Sequence, residues 1–432
     1  MRFCCLLVLT AIVLCSPAAW AGQPRTRQPE LVTRDKTLTL ADCLNLALKN
    51  QPSIRQAAAQ VESRTGRMSQ ARSELLPSTS ITSGKSLAGS RGSTGAAAAV
   101  GADQLIYDFG RSRSGLTEAD RQLAAGAAAL SGARADAILS VKQAYYGLLS
   151  STSLVQVSEE NVKAREEHVA LAQARLDTGF APRSDVLKAA AALASARFTL
   201  VTAKNYAEQA RVGLNEAMGI DVRSDTQIAE TAEPEIPVPN LDRAVETALK
   251  NRPESRQADE QASAAEAALK AAQTGNLPVI STSVSDRQDF GDGIGDSNSW
   301  EWGLNLQWRP FDSGFTRGAI TQARAQLVTA QESLYDVRQS ISGEAVAARL
   351  NLLAAQESLV AAKAEVASAK EDLDSATGRY QSGVGILLEV LDAQAALLTA
   401  RVDELSARYG LSIARAELEH AIGATTIGGM PK

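Results

Sequence analysis

Residues 47–52 (ALKNQP) return as residues 248–253 (ALKNRP), 201 positions later, and Leu76-Pro77 returns as Leu277-Pro278 at the same offset. Beyond that point the offset is 204. YDFG at 107–110 matches FDSG at 311–314, RLDTGFAPRSDVLKA at 175–189 matches RYQSGVGILLEVLDA at 379–393, and LNEAMG at 214–219 matches LEHAIG at 418–423. Copies this long are not a solenoid of short repeats; they describe a duplicated scaffold. Neither copy contains a catalytic motif.

Arg2, the apolar run CCLLVLTAIVLC at 4–15 and Ala19-Trp20-Ala21 have the layout of a secretory leader, so residues 1–21 are read as a signal peptide. Acylation of Cys15 would need a small residue before it, and Leu14 stands there. The leader takes Cys4, Cys5 and Cys15. Cys43 alone remains, so no internal disulfide is expected despite export. The net charge of −5 becomes −6 without Arg2. No basic patch with interleaved aromatics stands out, which argues against a nucleic-acid partner. No later run of about 18 apolar residues is seen, so no transmembrane helix is expected. Aromatics make up only 4% while Ala is abundant. That composition points to long helices packed closely through small residues.

The expected layout is an N-terminal extension (22–39), repeat one (40–219), a Pro-rich linker (220–240), repeat two (241–423) and a tail (424–432). A first helix should run from 40 to 75, stopped by Pro77. A second should run from 111 to 178, about 100 Å at 1.5 Å per residue. Gly179, Phe180, Ala181 and Pro182 break it. A third should follow from Ser184, as N-cap, to Gly219, as C-cap. The first and third together match the second in length, so they could stack end to end beside it. The linker would then lie near the middle of a long cylinder.

Val141, Leu148, Val155, Val162, Val169 and Leu176 are spaced by seven, as are Val186, Leu193, Leu200, Ala207 and Leu214. Repeat two has Ala393, Ala400, Ala407, Ala414 and Ala421 at the same step. Sustained sevens make a coiled-coil seam, and Ala along it lets helices approach closely. In both copies an 11-residue step interrupts the sevens, Leu130 to Val141 and Leu334 to Ala345. Such a step locally relaxes supercoiling.

Two stretches per chain, about 78–107 and 278–310, each read as two barrel strands. Trp300, Trp302, Leu304, Leu306 and Trp308 alternate strictly with polar residues or glycine, giving one apolar face and one polar face. A strand of a soluble sandwich could show the same alternation. Three features point to lipid: charge at both ends of the polar face, export, and the two end tryptophans. Those tryptophans lie about 26 Å apart along the strand, or about 20 Å after tilt, roughly an outer-membrane band with aromatic girdles. Ala96, Ala98, Val100 and Ala102, and Ile280, Thr282 and Val284, alternate more weakly. Four strands cannot close a transmembrane barrel, and lipid forbids open edges. Two chains would give eight strands with a filled interior. Three would give twelve, wide enough for a lumen, so a homotrimer is preferred.

The chain thus resembles the TolC-like outer-membrane efflux and secretion channels over roughly residues 38–423. The resemblance rests on LTLADCLNLALKNQPSIRQA at 38–57, the LP before each first strand, YDFG and FDSG after each second strand, and RYQSGVGILLEVLDAQ at 379–394. It implies a mainly α fold with a β-barrel part: a trimeric twelve-stranded outer-membrane barrel continuous with a long periplasmic α-helical barrel. It further implies a passive exit duct of a tripartite efflux pump or type I secretion system. The partners would be a periplasmic adaptor, an inner-membrane pump and outer-membrane lipid. The family's tip pattern, acid-V-L-D, places Glu389 and Asp392 at a pore constriction. The closing lock carries over to Asp185 and Tyr380, although Gly385 stands where the family has a lock arginine. Adaptor docking falls to the tip turns, Gly179 to Pro182 and Gly383, Val384 and Gly385.

No cofactor or metal site and no enzyme activity are expected. His168 and His420 lack Cys partners at ligand spacing. GDGIG at 291–295 lacks the Lys-Ser/Thr sequel of a phosphate loop, and no G-x-S-x-G elbow occurs. The alternative from another class is a non-pore periplasmic coiled-coil adaptor or scaffold. It explains heptads and export but not the alternating Trp strand. Salt would extract a scaffold from membranes, whereas a barrel needs detergent.

Overall fold

The computed structural model describes residues 37–88, 93–180, 182–230, 238–291 and 297–424. The expected leader, most of the N-terminal extension, the centre of the Pro-rich linker, Ala181, the strand-turn residues 89–92 and 292–296 and most of the tail lie outside them.

Repeat one comprises helices α1 (Leu40–Asn50) and α2 (Pro52–Ser73), strands β2 (Ser78–Ala88) and β3 (Ser93–Tyr107), and helices α3 (Arg111–Asp177) and α4 (Arg183–Met218). Repeat two comprises α5 (Leu241–Asn251), α6 (Pro253–Gln273), β5 (Val279–Gly291), β6 (Ser297–Gln307), α7 (Phe315–Gln381) and α8 (Leu387–Ala421). Two short strands not expected from sequence, β1 (Thr37–Leu38) and β4 (Gln227–Ile228), pair in parallel. α3 and α7 each run for 67 residues, about 100 Å.

The expected first helix is in fact two. Gln51 and Arg252 adopt extended backbone, with ψ of 124° and 128°. Each precedes a proline, whose Cδ disfavours the α conformation in the residue before it. The repeated motif ALKNxP is thus a break. Gly219 ends α4 with φ of 67°, and Gly423 follows α8 with φ of 68°. A Cβ on Gly219 would lie 2.9 Å from the carbonyl carbon of Asn50, and one on Gly423 would lie 2.9 Å from that of Asn251. Glycine therefore serves two ends there: it supplies a left-handed cap and lets two backbones meet. The third helix abuts the break in the first. Ser184 is not the N-cap: α4 starts at Arg183 after extended Pro182, and no side chain caps it.

YDFG and FDSG start the long helices. Asp108 accepts from the amides of Gly110 (3.1 Å) and Ser112 (2.7 Å), and Asp312 accepts from those of Gly314 (3.1 Å) and Thr316 (2.7 Å). Burial alone would raise the Asp108 carboxyl, but the hydrogen bonds from Ser112 and Gly110 outweigh it and hold it below its ordinary value.

Below the α1 and α5 breaks the helices lie in the order α4, α3, α8, α7; above them the order is α2, α3, α6, α7. The main core sits at the break, where Leu44, Tyr145, Leu214 and Met218 are fully buried. Cys43 joins them, and burial pushes its thiol up to about 12. Antiparallel contacts join α3 to α8: Glu160 to Arg401 at 2.9 Å, Ser153 to Tyr409 at 3.0 Å, and Lys142 to Glu419 at 2.6 Å. α4 is long and apolar enough to cross a membrane by length and composition, which the sequence reading did not expect. Two of its cations turn to α3, Arg197 to Glu166 at 2.8 Å and Lys204 to Glu159 at 2.9 Å.

The Lys142–Glu419 side chains are only 7% and 10% exposed, and removing one partner leaves a buried charge. Lys142→Met should therefore lower stability by about 3–5 kcal/mol. The double variant Lys142→Met, Glu419→Leu should recover most of that. Thermal unfolding of the purified protein compares the three; a single variant as stable as the parent would show the pair to be dispensable.

Candidate functional site: strand faces and tip

The four large strands form one antiparallel sheet in the order β2-β3-β5-β6. Its register decides which residues share a face. Trp302 lies opposite Val284, which lies opposite Ala102, which lies opposite Thr79. One row further from the helices, Trp300, Asp286, Val100 and Ile81 align. Leu304 meets Thr282, and Leu306 meets Ile280. The weakly alternating residues of β3 and β5 thus fall on the face of the tryptophans. Asp286 interrupts that face at the Trp300 row, so the wholly uncharged stretch starts below it. Trp308 lies just past the end of β6, and its Nε1 donates to the Asn276 carbonyl at 3.1 Å. The opposite face carries Glu301, Ser285, Ser283 and Asn305, whose Nδ2 donates to Ser283 at 3.0 Å. Trp300, Trp302, Leu304, Leu306 and Trp308 are all exposed in the single chain.

At the other end of the molecule, 67-residue helices turn back within a few residues. Gly179 and Gly383 have φ of 77° and 79°. The Phe180 amide donates to the Arg175 carbonyl at 2.8 Å, and the Val384 and Gly385 amides both donate to the Arg379 carbonyl, at 3.0 and 2.9 Å. These bonds satisfy carbonyls left over at the helix ends. Phe180 and Val384 project, 84% and 82% exposed, with Pro182 exposed beside them. Behind the turns, Ala172, Ala189, Ala376, Leu387 and Val390 form a core of small and aliphatic side chains.

Asp392 is exposed and Glu389 half-buried on the first turns of α8. Tyr380 is buried behind the turn, and its hydroxyl has no hydrogen-bond partner among the described residues. Among the described residues, the Asp185 carboxylate receives only the Ser184 hydroxyl, at 3.4 Å. The two expected lock residues are therefore not joined in the chain. Arg175, which sequence reasoning missed, lies over the Tyr380 ring at 4.2 Å and donates to the Gln381 carbonyl at 3.0 Å. Arg379, also missed, lies 3.0 Å from Glu389. Each arginine lies in the last turn of a long helix, four residues before a tip glycine, the one sequence signal that could have found them.

His168 lies against Gln394 near the tip, and burial together with the charge of Arg165 holds its pKa below the ordinary value. His420 does have ligand-type company, which no sequence spacing could reveal. Its Nε2 is 2.9 Å from Asp136, and Glu254 lies within reach of both. Arg252 already holds Glu254 at 3.0 Å, so the protein itself supplies cationic charge to that trio.

A duplicated helix–strand unit, an alternating sheet at one end and coiled helical hairpins at the other define an outer-membrane channel class. The outer membrane efflux protein family matches residues 43–220 and 244–424, and the chain belongs to it. It is an outer-membrane exit duct of TolC type with a large periplasmic helical part. Protein CyaE of Bordetella pertussis is 29% identical over 407 residues, covering 90% of this chain and 85% of CyaE. Outer membrane protein TolC of Escherichia coli K12 is 24% identical, covering 87% of this chain and 80% of TolC. The solved structure of CusC, described with its transmembrane channel formation, superposes with a TM-score of 0.82 at 19% identity, covering 91% of this chain and 93% of CusC.

Two contrasts test these geometries. Trp302→Arg should cost about 2–4 kcal/mol per chain near a bilayer midplane and prevent outer-membrane assembly. Asn305→Arg, on the other face, should be tolerated; equal loss of assembled protein in membrane fractions would mean the faces are reversed. At the tip, Tyr380→Phe should leave single-channel conductance unchanged, while Arg175→Ala should raise it by loosening the turn. Conductance changed by Tyr380→Phe alone would restore a hydroxyl-based lock.

Proposed function

We propose that three copies of the chain share a twelve-stranded barrel continuous with one helical cylinder, and that this duct receives cargo from an inner-membrane pump through a periplasmic adaptor. The carrying observation is a pair of unfinished edges at both levels of the molecule. In the sheet, β2 and β6 each pair on one side only. In the lower helical row, α4 and α7 stand at the two sides. α4 presents an exposed apolar stripe, Leu187, Phe198, Val201 and Val212, and α7 presents another, Leu350 and Val360 below the break, continued above it by Val328 and Tyr335 where α7 lies beside α6. At 100° per residue each set falls within about 80° of helix surface. One ring of copies joins β2 to β6 and α4 to α7 of the next chain and leaves no edge. Lipid then contacts Trp300, Trp302, Leu304, Leu306 and Trp308.

Light scattering in detergent, corrected for the micelle, should give three chains per particle. A stable monomer sinks this assembly.

The tip turns form the docking surface for the adaptor, supported by the projecting Phe180 and Val384. A bulky insertion at Val384 should abolish export while trimer yield stays normal; normal export would move docking elsewhere. Glu389 and Asp392, tripled by symmetry, form an acidic constriction that repels anions and collects cations. The double change Glu389→Ala, Asp392→Ala should remove divalent-cation block of reconstituted channels with the barrel intact. Full block in that variant would reduce the acids to a solvated face.

A further inference from the structure

The two acids differ in their surroundings. Glu389 sits in the first turn of α8 and Arg379 in the last turn of α7. The two ends are joined by the turn around Gly383 and Gly385. A guanidinium at a helix C-terminus and a carboxylate at a helix N-terminus are each favoured by the local helix dipole. Here they face each other, Arg379 Nη2 lying 3.0 Å from Glu389 Oε2, an approach of opposite charges without hydrogen-bond geometry. Asp392 has no ion-pair partner among the described residues and is exposed. We propose that Arg379 is a specificity-determining residue of the constriction: it neutralises Glu389, so that the ring charge seen by a permeating cation is set by Asp392.

Gly385 is the local reason. Its amide and that of Val384 both bond the Arg379 carbonyl, which draws the turn onto the arginine. A Cβ at 385 would stand 3.0 Å from Arg379 Cβ and 3.1 Å from its carbonyl carbon. A side chain in that place, such as the family's arginine, would press directly on Arg379. With glycine there, the turn closes on Arg379 and its side chain reaches Glu389.

Repeat one supplies an internal comparison. Arg175 and Asp185 hold the positions that Arg379 and Glu389 hold in repeat two, 204 residues on. Yet Arg175 leaves its own hairpin for the Tyr380 ring and the Gln381 carbonyl. Asp185 is left with the Ser184 hydroxyl. Further along, Lys188 stands where repeat two has Asp392. The same positions thus carry a neutralised acid followed by a free acid in repeat two, and an unpaired acid followed by a cation in repeat one. The pair is half-exposed, with side chains 53% and 41% accessible. Its consequence is therefore for local charge rather than for stability.

This inference rests on the acidic-constriction reading, and the experiment separates the two. Trimers reconstituted in planar bilayers are titrated with Mg²⁺ from the periplasmic side, and half-blocking concentrations are compared. Asp392→Asn should raise that concentration several-fold, and Glu389→Gln should change it little. Arg379→Gln should lower it several-fold by releasing three carboxylates, and Glu389→Gln in that background should cancel the gain. Arg379→Lys, which keeps the charge, should behave like the parent. If Glu389→Gln alone weakens block as much as Asp392→Asn does, and Arg379→Gln changes nothing, Glu389 is already free and the inference is overturned while the gate stands. If neither acid affects block singly or together, the constriction reading fails and this one with it. Size measurement of each variant trimer shows that block is compared between assembled channels.

Discussion

β2 and β6 are each hydrogen-bonded along one side, and their other sides offer rows of backbone N–H and C=O groups. In the barrel proposed above, those groups would lie where no water can satisfy them, and each left open would cost several kcal/mol in hydrocarbon. Much of the chain's organisation answers this requirement. β2 pairs with β3 and β5 with β6, and β3 pairs with β5 across the duplication to make one sheet of four. In the proposed assembly the exposed apolar stripes of α4 and α7 would be covered in the same way, the driving force there being burial of side chains rather than of peptide groups.

Stacking at the α1 and α5 breaks fixes how the two parts join. Each break is produced by a residue preceding proline, and the facing helix ends in glycine, so backbones meet with no side chain between them. Two shorter helices thereby run beside one long one without a gap. Small residues keep helices close elsewhere: Ala189, Ala196 and Ala203 on α4, and Ala393 and Ala400 on α8, are all buried. Thin, closely set helices of this kind make a wall rather than a globule, which is why so few aromatic side chains suffice.

Duplication preserved backbone devices more faithfully than side-chain contacts. Asp108 and Asp312 cap their helices at the same pair of distances. Asn215 and Glu419 occupy matching positions, but Asn215 bonds its own following loop, through Ser224 and Thr226. Glu419 instead reaches across to Lys142. A buried polar position can change its partner as long as it has one. Arg175 and Arg379 diverge in the same way, one bridging hairpins and the other closing its own.

The sequence by itself determined the periodic features: the 67-residue helices, the tip turns, the two strand pairs and the alternating face of β6. These follow from spacing, glycine and proline, which act on residues close along the chain. Even the break at Gln51 was there to be read, since Pro52 restrains the residue before it. Tertiary structure alone decided which distant residues meet. The β5–β6 register set Asp286 in the tryptophan face. The α3–α8 approach brought Lys142 to Glu419 and Asp136 to His420. The turn around Gly385 brought Arg379 to Glu389. Each depends on how far one helix or strand is displaced along another, a quantity set by the summed packing of many side chains and carried by no local pattern.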